Sequence, residues 1–122
     1  MDSERRELTD WERQVLDRLL SVSFEGSEEL RRQIPVVRVT AHPERDLPSV
    51  GLRVDHIRAP AARSDLRVPV QAIGKDADGM EILFLLHVDR GYIRELEIFR
   101  GDSGGIQAVP PPQTLVVEAI NQ

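Results

Sequence analysis

The sequence predicts an α+β fold in which two N-terminal helices pack on one face of a four- to six-stranded, mainly antiparallel meander sheet. Apolar residues recur at helical spacing before Ile34, and at every second position from Val36 onward. The sequence has no internal repeat and no long linker. Residues 1–122 are therefore expected to form one domain.

The first helix is predicted over residues 10–21. Thr9 and Glu12 form a capping box, in which each side chain accepts a hydrogen bond from the other's backbone N–H. The apolar face consists of Trp11, Val15, Leu16, Leu19 and Leu20. The outer face is assigned to Glu12, Arg13, Asp17 and Arg18. A second helix is predicted to begin after an N-cap at Ser27 and to end before Pro35.

Strand-like alternation follows the helices. It predicts strands at 37–42, 50–55 and 68–73, with Pro69 indicating that the third lies at an edge of the sheet. Residues 57–67 are expected to form a loop. The run Pro110–Pro112 is expected to be extended, and Leu115–Val117 is a candidate last strand.

The hairpin from Met80 to Arg100 is the best-defined unit. Its first arm is almost continuously apolar, as expected of a central strand covered on both faces. A three-residue loop, Asp89–Gly91, would place Ile82, Phe84 and Leu86 on the same face as Leu96 and Ile98. The opposite face would then carry Glu81, Leu83, Leu85, His87, Ile93, Glu95, Glu97 and Phe99.

Composition excludes several classes of site. The chain has no cysteine, which removes disulfides and every cysteine-based metal or redox site. Its net charge is −5 and its basic residues are scattered along the sequence, which disfavours nucleic acid and favours a basic protein partner. Residues Met1–Glu7 do not resemble a secretory signal, and no run is apolar enough to cross a membrane. We therefore expect a cytoplasmic protein.

Three short motifs suggest chemistry without completing a site. Residues 101–105, Gly-Asp-Ser-Gly-Gly, resemble the nucleophile segment of trypsin-like serine proteases, and 39–42 resemble the segment around their histidine. The chain is too short for that two-barrel fold, so a glycine-rich turn is the preferred interpretation. Arg100–Asp102 spells an integrin-binding tripeptide, and Asp76–Gly79 matches a fragment of a calcium loop that lacks its remaining ligands. We expect a plain turn at 75–79.

The histidines do not form a recognisable metal pattern, because His42, His56 and His87 are predicted on separate strands or strand ends. No metal and no cofactor is predicted. Glu95 and Glu97 share one strand face, at a spacing that acid–base chemistry could use. A small His/Glu-dependent hydrolase or lyase therefore stays open as an alternative function.

Two segments carry a family resemblance. Gly91 to Leu115, with Tyr-Ile-Arg-Glu-Leu-Glu-Ile-Phe-Arg and a later Pro-Pro-Pro-Gln-Thr-Leu, resembles the C-terminus of a group of small uncharacterised bacterial proteins. Residues 8–34 resemble their N-termini, which have a capped helix followed by Phe-x-Gly-x-Glu-Glu-Leu. These motifs are structural, so the resemblance implies no activity.

The sheet face turned away from the helices is the predicted functional surface. Two short helices cannot cover both sides of the sheet, which leaves a mixed apolar and acidic face. We therefore expect a non-enzymatic protein-binding module of immunity or regulatory type, whose partner is another protein or a second copy of the chain. The predicted partner-binding residues are Leu83, Leu85, His87, Glu95, Glu97 and Phe99.

Overall fold

The computed structural model describes residues 5–43, 47–63, 65 and 67–120. The helices are α1 (Asp10–Leu19) and α2 (Ser27–Gln33), and the strands are β1 (Val37–Ala41), β2 (Val50–Val54), β3 (Val70–Lys75), β4 (Glu81–Asp89), β5 (Tyr92–Arg100) and β6 (Val116–Ala119). The strands form one open sheet in the order β1-β2-β5-β4-β3-β6, and all neighbours are antiparallel. The predicted α+β class is confirmed.

Helix α1 begins as the sequence predicts. The Thr9–Glu12 capping box is present, with its two hydrogen bonds at 2.9 and 3.1 Å. The assignment of Glu12 to the outer face was wrong, because its side chain is buried. The Arg6 guanidinium donates to both Glu12 carboxylate oxygens at 2.8 Å, while the Arg6 backbone pairs with Val39 of β1. Glu12 therefore joins the N-terminal segment, α1 and the edge of the sheet.

Helix α2 has a different N-cap from the one predicted. Gly26, with φ of 90°, is the N-cap, and Ser27 is the first helical residue. The left-handed conformation favours glycine at that position, which the Ser27 prediction did not consider. The helix ends at Gln33 as Pro35 predicted, and a 3-10 turn over Ile34–Val36 leads into β1.

The sheet is a meander in its centre and not at its ends. β3, β4 and β5 follow one another, β1 and β2 pair beside β5, and β6 returns to pair with β3. The edge position predicted for β3 was wrong. Pro69 precedes the strand, so its missing N–H removes nothing from the ladder, and its carbonyl accepts a hydrogen bond from Ile120. Residues 64 and 66 of the predicted 57–67 loop lie outside the described residues.

The β4–β5 hairpin places most of the predicted side chains on the expected faces, but with a different turn and register. Its turn has two residues, Arg90 and Gly91, both with positive φ as a type I′ turn requires. Asp89 pairs with Tyr92, so the predicted three-residue loop was wrong. A β-bulge then leaves Arg94 as an extra residue, so that Phe84 pairs with Ile98 and Leu86 with Leu96, and these side chains share one face as predicted.

The bulge also changes the orientation of Ile93. Between the turn and the bulge, Ile93 pairs with Val88 and faces the helices, where it is buried. Its predicted place on the outer face was wrong because the two-residue turn reverses the alternation over that short stretch.

The core lies on one face of the sheet. Along β4, buried residues on the helix side alternate with half-buried residues on the other side, so the prediction of cover on both faces was wrong for the described residues. The C-terminal tail also packs on the helix side. Trp11 donates to the Pro110 carbonyl at 3.0 Å, and Arg18 donates to the Leu115 carbonyl at 2.9 Å. Gly74 allows this close packing, because a Cβ there would come within 2.7 Å of Leu115.

Two buried side chains complete the hydrogen bonding of β5. β2 pairs with β5 through only two residue pairs, Val50 with Leu96 and Gly51 with Glu95. At one end, the Ser49 hydroxyl both donates to and accepts from the backbone of Ile98. At the other end, the Gln33 amide accepts from the Ile93 N–H at 2.9 Å and donates to the Gly91 carbonyl at 2.8 Å. The side chain of Gln33 thus takes the place of a missing strand.

Replacing Gln33 with leucine should destabilise the protein. The Ile93 N–H would lose its partner in a buried position, which costs about 1–3 kcal/mol of unfolding free energy. Urea unfolding monitored by circular dichroism measures the change. Gln14→Leu on the exposed side of α1 is the matched control and should alter stability by less than about 0.5 kcal/mol. Equal effects of the two substitutions would contradict the role given to Gln33.

Candidate interaction face

The outer face of the sheet carries all six predicted partner-binding residues. Leu83, Leu85 and His87 alternate with the buried side chains of β4, and Glu95, Glu97 and Phe99 alternate with those of β5. Each is half-buried. Because the helices and the described C-terminal tail pack on the opposite side, these side chains form a continuous outer surface.

An apolar row crosses four strands of this face. Phe99 pairs with Leu83, Leu83 with Ile73, and Ile73 with Val116. Three interstrand spacings make the row about 14 Å long. Val116, on the edge strand β6, is 70% exposed. Ile73 and Val116 were missed by the sequence analysis, because their place in the row depends on the pairing of β3 with β6.

Acidic residues border the apolar row. Glu81, Glu95, Glu97 and Glu118 all lie on the outer face. Lys75 contacts Glu81 at 3.7 Å, and both side chains are more than half exposed. His87 hydrogen-bonds to Glu97 at 2.8 Å through its Nε2 atom. The face therefore combines an apolar centre with a mainly negative border, a composition suited to an apolar and basic partner.

A second polar cluster surrounds the buried side chain of Arg100. Its guanidinium donates to Asp76 at 2.9 Å, to Asp78 at 2.9 Å and to Asp102 at 2.7 Å. Asp76 also accepts hydrogen bonds from the backbone N–H groups of Gln107 and Ala108. The cluster fastens the β3–β4 turn, the end of β5 and the C-terminal tail to one another.

The contacts within the Arg100 cluster shift the ionisation of its carboxylates. Burial alone would raise the pKa of Asp76, but hydrogen bonds from the Gln107 backbone, the Arg100 guanidinium and the Ala108 backbone hold it well below its ordinary value. The Arg100 guanidinium, followed by the Gly104 N–H, lowers the pKa of Asp102. The carboxylates in turn raise the pKa of Arg100, Asp102 most strongly.

The Arg100 cluster also accounts for the three short motifs. Asp76 and Asp78 of the calcium-loop fragment bind a guanidinium, in agreement with the preferred interpretation as a turn. In the protease-like and integrin-like segments, Asp102 binds Arg100 and accepts from the Gly104 N–H, which closes a turn. His42 belongs to a separate network, in which its ring contacts Arg6 at 3.3 Å.

The three histidines do not converge in the described structure. His42 contacts Arg6, His56 stacks on Tyr92, and His87 bonds to Glu97. The described residues contain no group of three or more His, Asp or Glu side chains that could hold a metal ion. No helix in the described part of the chain is long and apolar enough to cross a membrane.

These features define an α+β domain with an open antiparallel sheet, of which one face is packed and the other is only half-buried. Residues 5–110 match the model of the family described as Domain of unknown function (DUF6984), and the chain belongs to that family. The predicted membership of an uncharacterised family is thereby confirmed. No curated protein and no solved structure matches the chain.

The Arg100 cluster should make stability depend on pH. Because the folded-state pKa values of Asp76 and Asp102 lie below their ordinary value of 3.8, their stabilising effect is present above that value. It is lost as the pH falls towards the folded-state values. Asp102→Asn should therefore lower the urea midpoint at pH 7, and the difference from the wild type should narrow by about pH 3.

Ser103→Ala in the same exposed turn is the control for Asp102→Asn and should leave the urea midpoint unchanged at both pH values. A difference between Asp102→Asn and the wild type that stays constant across this pH range would contradict the stabilising role of the ionised Asp102.

Proposed function

We propose that the chain is a non-enzymatic protein-binding module of immunity or regulatory type, acting in a bacterial cytoplasm. The apolar row on the outer face is the observation that carries the proposal. Its members are half-buried or exposed, and they lie side by side across four strands. Contiguous apolar surface with a charged border is typical of interaction sites.

The chemistry of the face indicates the kind of partner. The apolar row would receive apolar or aromatic side chains, and the acidic border would attract neighbouring lysines or arginines. A second copy of this chain fits less well. If two apolar rows were placed on each other, the acidic borders around Glu97 and Glu118 would also be brought together. We therefore favour a different protein as the partner.

One contact favours the alternative function of a hydrolase or lyase. His87 and Glu97 form a hydrogen-bonded pair at 2.8 Å, and a carboxylate that orients a histidine is a common part of acid–base sites. Both side chains lie in the acidic border of the apolar row, on an open part of the sheet. The hydrogen bond between His87 and Glu97 is also consistent with a role of both side chains in the charged border of the docking face. The docking proposal therefore explains this pair without requiring a substrate.

Site-specific photo-crosslinking can test the docking proposal. A photoreactive amino acid in place of Val116 should give a discrete adduct with one other protein in the source cells, identified by mass spectrometry. Val109 is the matched control, because it is also an exposed valine but belongs to the tail that packs on the helix side. The same substitution there should not give that adduct.

Charge reversal provides the second part of the docking test. With the crosslinker moved to Leu85, Val116→Arg should abolish the adduct because it places a cation where a basic partner docks, whereas Val109→Arg should preserve it. Circular dichroism should show that both variants are folded. An adduct made only with a second copy of the chain, or one retained in Val116→Arg, would overturn the proposal of a basic protein partner.

A further inference from the structure

Arginines that are distant in the sequence come together at one end of the sheet. The residues lining two adjoining depressions there include six arginines: Arg5, Arg38, Arg53, Arg58, Arg90 and Arg94. They come from the N-terminal segment, β1, β2, the loop after β2, the hairpin turn and the β5 bulge. The fold therefore gathers basic side chains that appear scattered in the sequence.

The larger depression is a cleft of about 840 Å³ that opens where β2 and β5 separate. The ladder between these strands ends after the pair of Gly51 with Glu95. Beyond that point, the Gln33 amide binds the β5 backbone, and the bulge at Arg94 interrupts the regular strand. The same local irregularity that sets the register of the hairpin thus leaves a cleft on the outer face.

Positive charge dominates the cleft and its adjoining depression. Among the described residues, the carboxylates of Asp55, Asp89 and Glu95 also line them, against the six arginines, and Glu7 lies 3.8 Å from Arg38. Arg94 contacts Asp89 at 3.7 Å with both side chains more than half exposed, so water screens this pair. Since the whole chain has a net charge of −5, the local excess of positive charge is opposite in sign to the rest of the molecule.

The wall of the cleft also carries polar and aromatic groups. His56 stacks on Tyr92, with ring centroids 4.2 Å apart and planes inclined by 11°. The Tyr92 hydroxyl lies 3.5 Å from the carbonyl of Ala59, which holds the ring against the loop after β2. Thr40 adds a hydroxyl group to the lining. These side chains give the cleft both hydrogen-bond donors and a flat aromatic surface.

We propose that this cleft binds a small phosphorylated molecule with more than one negative charge. Arginine guanidinium groups bind phosphate oxygens through paired N–H donors, and several of them around one cleft would bind adjacent phosphates. The volume falls within the range of small-molecule sites. A long nucleic acid fits poorly, because the same sheet face continues into the acidic border at Glu97 and Glu118.

The proposal is tested by titrating the full chain with inorganic pyrophosphate in a calorimeter at physiological salt. Saturable binding with one site per chain is expected. Arg53→Gln and Arg94→Gln should each weaken it about tenfold, since each removes a charge-assisted contact. Arg13→Gln, on the exposed side of α1, is the control and should leave the affinity unchanged.

A further variant separates ligand binding from folding. Arg90 has a positive φ of 52° in the turn before Gly91. Because asparagine is favoured in such turns, Arg90→Asn should fold at least as stably as the wild type and still bind pyrophosphate more weakly. Unchanged affinity in these three cleft variants, loss of affinity in Arg13→Gln, or tighter binding of a single-stranded oligonucleotide than of pyrophosphate would each overturn the proposal.

Discussion

The pairing of β4 with β5 determines which side chains meet the helices. A two-residue turn alone would place Phe84 opposite a glutamate of β5 and turn charged residues into the core. The bulge at Arg94 adds one residue and restores the alternation, so that Phe84 pairs with Ile98. Ile93, which precedes the bulge, contributes to the core from the turn side. The contact of Trp11 in α1 with Phe84 depends on this register.

The same strand also explains why the two halves of the outer face differ. On one side of β5, full pairing with β4 and onward to β6 builds a flat surface with an apolar row. On the other side, pairing with β2 ends early, and the side chains of Gln33 and Ser49 hydrogen-bond to the buried β5 backbone groups that β2 does not pair with. The proposed docking face and the arginine-lined cleft thus lie side by side. Their proposed ligands differ in charge, so each can be tested independently.

The Arg100 cluster shows how weak motifs can originate in structural chemistry. An aspartate-rich turn, a Gly-Asp-Ser-Gly-Gly segment and an Arg-Gly-Asp tripeptide all contribute to one ion-pair network around the buried Arg100 guanidinium. The network needs aspartates because a buried guanidinium must have its charge and its N–H groups satisfied. Short polar turns supply them together with tight backbone bends.

Local sequence patterns were sufficient to predict much of the fold. The Thr9–Glu12 capping box, the break at Pro35 and the alternation in β1, β2, β4 and β5 depend on neighbours within a few residues. These features can therefore be predicted from the local amino-acid sequence. The outward orientation of Leu83, Leu85, Glu95 and Phe99 follows from the same alternation once the register is chosen. In these elements the sequence alone determined the element and most of its buried side, with Glu12 of α1 and Ile93 of β5 as the exceptions.

Only the tertiary structure decided how distant segments combine. The burial of Glu12 depends on Arg6, the interior position of β3 depends on β6, and the apolar row exists because Ile73 lies beside Val116. The gathering of arginines around the cleft likewise depends on where β2 leaves β5. Such contacts join residues many positions apart, and their energies come from mutual burial and charge compensation. These quantities are properties of the assembled sheet, so no local pattern in the sequence encodes them.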